Sequence, residues 1–219
     1  MSDKSNDLAT RLMACYAAAV HDVLRSMDQG PCVLPSTIKP LDPTRKLTGE
    51  VYTVSGHMDM TLEPHDTLVQ WTGLLSKAPS GKVLVCQPNN HEIALMGELS
   101  AETLHHKGVR GYVVDGGCRD TDFILTLGFP VFCSFITPKD IVGRWVPDRF
   151  GEPITIGEVT ICSGDYLLAD RDGVVIIPGA LAEEVVRKTE EVMQTENKVR
   201  SAILSGMDPQ EAYLTFGKF

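Results

Sequence analysis

The sequence predicts an α/β fold on three observations. Apolar runs and amphipathic segments alternate as β-α-β-α-β from residue 82 to 135. Short β-type runs separated by turn residues fill 136–179, and a long periodic helix follows over 181–204. The first pattern favours parallel strands joined by right-handed crossovers. The second reads as mixed or antiparallel sheet packed beside that unit.

The elements follow in order. Leu8, Leu12, Ala19, Val20 and Leu24 form an apolar stripe that predicts one helix over 8–26. A strand over 48–54 is closed by Ser55-Gly56, and a helix is expected over 66–75. The apolar run 82–86 is a short strand ended by Gln87-Pro88-Asn89-Asn90. Leu95, Met96, Leu99 and Leu104 predict a helix over 95–107, with His105, His106 and Lys107 at its negative end and Gly108 as C-cap. Residues 111–115 read as a strand opening into a turn at Gly116-Gly117. A short helix over 120–127 stops at Gly128, and a strand over 131–135 completes the unit. Strands are then expected over 154–156, 159–162, 166–169 and 174–177. In the closing helix Val185, Thr189, Val192, Val199 and Ile203 form a heptad-like seam interrupted by Glu196. The aromatic tail DPQEAYLTFGKF is expected to dock.

Composition narrows the function. A chain of 219 residues with 43% apolar and 22% charged residues has core enough to fold as one domain over 1–219. A net charge of −9 without a basic cluster disfavours nucleic acid as a partner. No apolar run reaches the roughly 20 residues a bilayer span needs. The N-terminus MSDKSNDLATRL lacks the apolar core of a signal peptide, so a cytoplasmic location is expected. Cys15, Cys32, Cys86, Cys118, Cys133 and Cys162 form no C-x-x-C pair. They read as small hydrophobes, with Cys86, Cys133 and Cys162 in buried strands, rather than as zinc ligands or disulfides.

Parallel strands over 82–86 and 111–115 place their following loops at one sheet edge, where ligands of open α/β sheets bind. Gly97-Glu98 and Arg119-Asp120 are therefore expected to converge. A helix beginning at Gly97 offers unpaired amides to a carboxylate, and Arg119 offers a two-pronged grip on the same group. Asp120 supplies the hard oxygen that Mg²⁺ or Mn²⁺ prefers, and Glu98 can orient or deprotonate a water. Each residue also has a plain reading. Asp120 can be an N-cap, Arg119 a surface ion-pair partner, and Glu98 a complement to the helix dipole. The residues alone leave both readings open.

Two longer stretches, MGELSAETLHHKGVRGYVVDGGCRDTDFILTLGFPVFC and SGDYLLADRDGVVIIP, resemble the RraA-like family from about residue 15 to the C-terminus. The shared pattern is an acidic residue, twenty residues, then Arg-Asp: here Glu98, then Arg119-Asp120. The family includes the 4-hydroxy-4-methyl-2-oxoglutarate and 4-carboxy-4-hydroxy-2-oxoadipate aldolases, which are class II pyruvate aldolases. It also includes the RraA proteins that inhibit ribonuclease E. The resemblance implies a β/β/α sandwich of the swivelling-domain type with an N-terminal helix and a long C-terminal helical arm. It further implies homotrimers or paired trimers (homohexamers) with sites between subunits, residues 180–219 reaching a neighbour.

The resemblance also implies roles. Arg119 matches the arginine that binds the pyruvyl carboxylate and keto group, and Asp120 the direct metal ligand. Glu98 stands where the aldolases have a water-binding Asp. Gly97, Glu98, Leu99 and Ser100 match the helix start that meets substrate. Glu196 is the candidate for a carboxylate lent by an adjacent subunit. The expected activity is a lyase reaction dependent on Mg²⁺ or Mn²⁺, cleaving a 4-hydroxy-2-oxo acid to pyruvate, with oxaloacetate decarboxylation through the same enolate. The rival is a non-catalytic regulator that binds a ribonuclease or helicase.

Overall fold

A computed structural model describes the backbone of residues 2–219 and the side chains from Leu8 onward. The first seven residues of the N-terminal stretch MSDKSNDLATRL lie outside the described side chains. Two N-terminal helices, α1 (Ser2–Ala14) and α2 (Ala17–Ser26), replace the single helix expected over 8–26. Tyr16 breaks it with extended backbone, φ −135° and ψ 155°. The buried Asp170 stabilises the break, because its Oδ2 accepts from the Ala17 amide at 2.8 Å and so satisfies a donor at the start of α2.

The two-residue strand β1 (Lys39–Pro40) and the long β2 (Leu47–Met58) lead to α3 (Pro64–Lys77). Then come β3 (Val83–Gln87), β4 (Ala94–Met96), α4 (Glu98–His106), β5 (Gly111–Cys118), α5 (Thr121–Leu127) and β6 (Val131–Ile136). The β-rich region holds β7 (Trp145–Phe150), β8 (Ile154–Ile156), β9 (Val159–Ile161), β10 (Tyr166–Ala169) and β11 (Val174–Ile177). Helices α6 (Ala182–Leu204) and α7 (Pro209–Phe216) close the chain.

Among the described residues, the main sheet runs β1-β6-β5-β3-β2-β10-β11, with β4 added beside β5 and β7 beside β2. The β2, β3, β5 and β6 pairings are parallel, whereas β7, β10 and β11 join antiparallel. Alternation along the strands sends side chains to two cores. Val83, Val85 and Val113 pack with Phe132 toward the β8–β9 hairpin. Leu84, Cys86, Tyr112 and Val114 pack toward α3, α4 and α5 through Trp71, Leu104 and Ile124. A third core joins α1, α2 and α6 to β10 and β11 through Leu12, Leu24, Val185 and Leu168. Each such aliphatic side chain contributes roughly 1.5–3 kcal/mol by burial, so the sheet is held from both faces.

Three local expectations change. Residues 94–96 form β4 rather than the first turn of a helix, because they pair in parallel with Gly117 and Cys118. The strand over 111–115 continues through Gly116 and Gly117 to Cys118. A Cβ on Gly117 would lie 2.7 Å from the Ile93 carbonyl and 2.7 Å from Phe135, so this glycine permits close approach of β4 rather than a turn. Cys162 is exposed, one residue past the end of β9, and not a buried strand residue.

Candidate active site

Parallel β3 and β5 bring the loops that follow them to one sheet edge, and β4 carries the chain back to the start of α4 there. The Arg119 amide donates to the Met96 carbonyl at 2.8 Å, which locks the end of β5 to the end of β4. Gly97-Glu98 and Arg119-Asp120 meet at this point. Asp120 Oδ2 accepts from the Glu98 backbone amide at 3.1 Å and from Arg119 Nε at 3.2 Å.

Asp120 occupies the N-cap position of α5, but in left-handed conformation, φ 54° and ψ 39°, and its side chain does not cap that helix. The N-cap expectation is therefore corrected in one respect: the carboxylate caps α4 instead. Left-handed backbone costs a non-glycine residue roughly 1–2 kcal/mol, least for Asp and Asn. Here it turns the carboxylate away from its own helix and toward the Glu98 amide of the preceding helix, α4.

Gly97 has extended backbone, φ −142° and ψ −177°, which any residue adopts. Its lack of a side chain is what matters. A Cβ there would lie 2.7 Å from Asp120 Oδ2 and 3.2 Å from Arg119 Cγ. The first helical bond of α4 runs from the Ala101 amide to the Gly97 carbonyl, so the Leu99 and Ser100 amides keep no acceptor among the described residues. Leu99 projects into solvent, 75% exposed. Ser100 Oγ accepts from Trp71 Nε1 at 2.9 Å, and Trp71 in turn meets Trp145 edge-on at 5.9 Å, so this turn of α4 is braced from beneath.

The Glu98 carboxylate and Asp120 Oδ1 make no hydrogen bond or ion pair among the described residues. Two oxygen donors thus stand free beside the helix start. Oxygen donors of this kind fit Mg²⁺ or Mn²⁺, which take one or two protein carboxylates and complete their shell with water. Asp120 would be the direct ligand. Among the described residues no set of three or more His, Cys, Asp or Glu side chains gathers for a metal.

A further charged residue at this edge went unmarked in the sequence. Asp140, in the loop after β6, has Oδ2 3.2 Å from Arg119 Nη1, and Oδ1 3.8 Å from Arg144 Nη1. Nothing in its local sequence signals this, since the contact joins different loops. Asp115 engages elsewhere, accepting from Ser134 Oγ at 2.9 Å. Glu196 lies apart from this cluster within one chain. It takes the Tyr16 hydroxyl and stands 3.4 Å from Lys218 Nζ. Burial, and secondarily the Glu196 hydrogen bond, push the Tyr16 hydroxyl up to about 12.

Comparisons with known proteins agree on kinship. A family model described as RraA-like, Aldolase/RraA, matches residues 17–176. Protein DlpA of Legionella pneumophila is 30% identical over 213 residues, 96% of this chain, and the chain spans only 34% of that relative. A Halalkalibacterium halodurans protein named "Putative 4-hydroxy-4-methyl-2-oxoglutarate aldolase" is 27% identical over 98% of this chain and 97% of its own length. The solved structure of Streptomyces coelicolor RraAS2, described as an unusual member of the RNase ES inhibitor RraA protein family, superposes with a TM-score of 0.77. It is 26% identical, over 89% of this chain and 96% of that one. No described helix is long and apolar enough to cross a membrane.

Proposed function

Because this chain belongs to the RraA-like family, we propose that its Arg119-Asp120 edge is the active site of a divalent-metal-dependent lyase that releases pyruvate from a 4-hydroxy-2-oxo acid. The observation that carries this reading is the Asp120 carboxylate. One oxygen is fixed by the Glu98 amide and Arg119, and the other is open beside the unpaired amides of α4. The name given to the Halalkalibacterium relative supports the aldolase class, with 4-hydroxy-4-methyl-2-oxoglutarate as the type substrate.

In this mechanism Arg119 binds the C1 carboxylate of the substrate, with the Leu99 and Ser100 amides as further donors. Asp120 would hold Mg²⁺ or Mn²⁺, and such an ion would supply Lewis-acid polarisation for a 2-oxo group. Glu98, acting through a water, accepts the proton of the 4-hydroxyl. The C3–C4 bond breaks, its electron pair forming the enolate of pyruvate, while C4 becomes the carbonyl of the second product. Arg119 balances the enolate charge, and return of a proton to C3 gives pyruvate. Loss of carbon dioxide from oxaloacetate yields the same enolate, so decarboxylation is a companion activity. Assembly as a trimer or dimer of trimers would bring α6 of a neighbour, with Glu196, toward this edge.

The regulator reading draws on the RraAS2 likeness. Binding a ribonuclease or helicase requires no free carboxylate oxygens beside an arginine, and that arrangement favours the enzyme. The test is pyruvate release, followed with lactate dehydrogenase, from 4-hydroxy-4-methyl-2-oxoglutarate and from oxaloacetate with Mg²⁺ or Mn²⁺. Metal-dependent release is expected. Its absence with both acids and related 4-hydroxy-2-oxo acids would overturn the lyase reading.

A further inference from the structure

The loop over 137–144 is tied to the site at many points. The Thr137 amide donates to the Cys118 carbonyl at 3.0 Å, and the Lys139 carbonyl accepts from the Ala94 amide at 2.7 Å. Lys139 Nζ reaches Glu92 at 2.9 Å. Farther along, the Gly143 amide donates to Thr67 Oγ1 at 3.0 Å, and the Arg144 carbonyl accepts from the Asp59 amide at 2.7 Å. Asp140 sits at the middle of this braced loop. Its Oδ1 accepts from the Val142 amide at 3.2 Å, while Arg144 Nη1 lies 3.4 Å from its carbonyl oxygen. Its Oδ2 is left to face Arg119 Nη1 at 3.2 Å.

We infer that Asp140 is a positioning residue that fixes the plane of the Arg119 guanidinium. Asp120 holds that guanidinium at Nε, and Asp140 holds it at Nη1. One contact leaves a long, flexible side chain free to turn about it, whereas two contacts at different nitrogens define a plane. The Nη2 edge of the guanidinium then faces away from both carboxylate contacts and stays available for a substrate carboxylate. Sharing Arg119 between two carboxylates also keeps the cation from settling on Asp120 alone, so Asp120 retains an open oxygen. Because Asp140 is held by Val142 and Arg144, it is a fixed brace and not a mobile competitor.

The consequence for turnover rests on the proposed lyase reading, but the consequence for the Arg119 side chain does not. Rotation about the Arg119 Nε–Cζ bond is therefore measured by nitrogen-15 and carbon-13 NMR in the full-length protein, with Arg119→Lys identifying the signal. In Asp140→Ala, rotation is expected to accelerate about three-fold, the size expected for loss of a part-exposed ion pair. Asp140→Asn keeps an oxygen beside Nη1 but removes the charge, and is expected to fall between Asp140→Ala and the wild type. Unchanged rotation in Asp140→Ala would overturn the inference. In the pyruvate assay, Asp140→Ala is expected to raise KM about three-fold and change kcat by less than about two-fold, with Asp140→Asn between it and the wild type. A lowered KM would show that Asp140 competes with substrate and would also overturn it. Accelerated rotation with no pyruvate release from the wild-type protein would refute the lyase reading and leave the positioning role standing.

Discussion

The side chain of Asp120 caps a helix other than its own: its Oδ2 lies 3.1 Å from the backbone amide of Glu98, at the start of α4. This gives Asp120 a structural role that can be separated from a chemical one. Asp120→Asn keeps an acceptor for the Glu98 amide and tolerates left-handed backbone. Its thermal midpoint is expected to stay within about 2 °C of wild type, while metal-dependent pyruvate release is lost. Asp120→Ala should lose both, with about 1 kcal/mol of stability removed along with the cap. Wild-type activity in either variant would return Asp120 to a purely structural role.

Gly97→Ala tests the closeness of the two chain segments. The backbone accepts alanine, but the new methyl would meet Asp120 Oδ2 at 2.7 Å. The Asp120 side chain must then swing off the Glu98 amide. Circular dichroism is expected to be unchanged, and pyruvate release to fall by more than about ten-fold, in the range of losses caused by misplaced catalytic groups. Retention of full activity would mean the carboxylate needs no fixed seat.

Glu196 is tied within its own chain to Tyr16 and Lys218. If it is lent to a neighbouring subunit, those ties form part of an interface. Mixing inactive Glu196→Ala and Arg119→Ala proteins should then restore part of the activity, since some sites in the mixed assembly receive both intact groups. No recovery under conditions that exchange subunits would confine Glu196 to bracing the helical arm.

The same contact gives a pH prediction. Burial and Glu196 keep the Tyr16 hydroxyl protonated up to about 12, against an ordinary value of 10.0. The stability this supplies is fully present below pH 10 and is lost as pH rises through the folded value. Tyr112 and Tyr166 are raised as well, so the total loss is shared. Urea midpoints of Tyr16→Phe should therefore fall less steeply between pH 10 and 12 than those of wild type. Parallel slopes would place the Tyr16 hydroxyl in ordinary solvent.

The parallel unit was legible because each strand is a short apolar run bounded by turn residues, and each helix has its own stripe. Residues 94–96 were not, because Leu95 and Met96 continue the stripe of Leu99 and Leu104, and only pairing with β5 makes them a strand. The strand over 145–150 was missed for another reason. Pro147 and Asp148 break its pattern, and among the described residues it pairs with β2 alone, across a register shift at Ser55 and Gly56. In the site, the spacing from Glu98 to Arg119 was visible in one dimension. The reversal of the Asp120 cap depends on a left-handed backbone, and the Asp140 contact on a loop returning from β6, which no local pattern encodes.

Gly117 lets β4 lie against β5, and β4 delivers α4 to Arg119. Glu98, Arg119 and Asp120 therefore all belong to one uninterrupted piece of chain, residues 94–127. Such a piece can be inherited, exchanged or allowed to decay as a unit while the surrounding layers persist. Substitutions within this one crossover can therefore alter the Glu98, Arg119 and Asp120 cluster without remaking the fold.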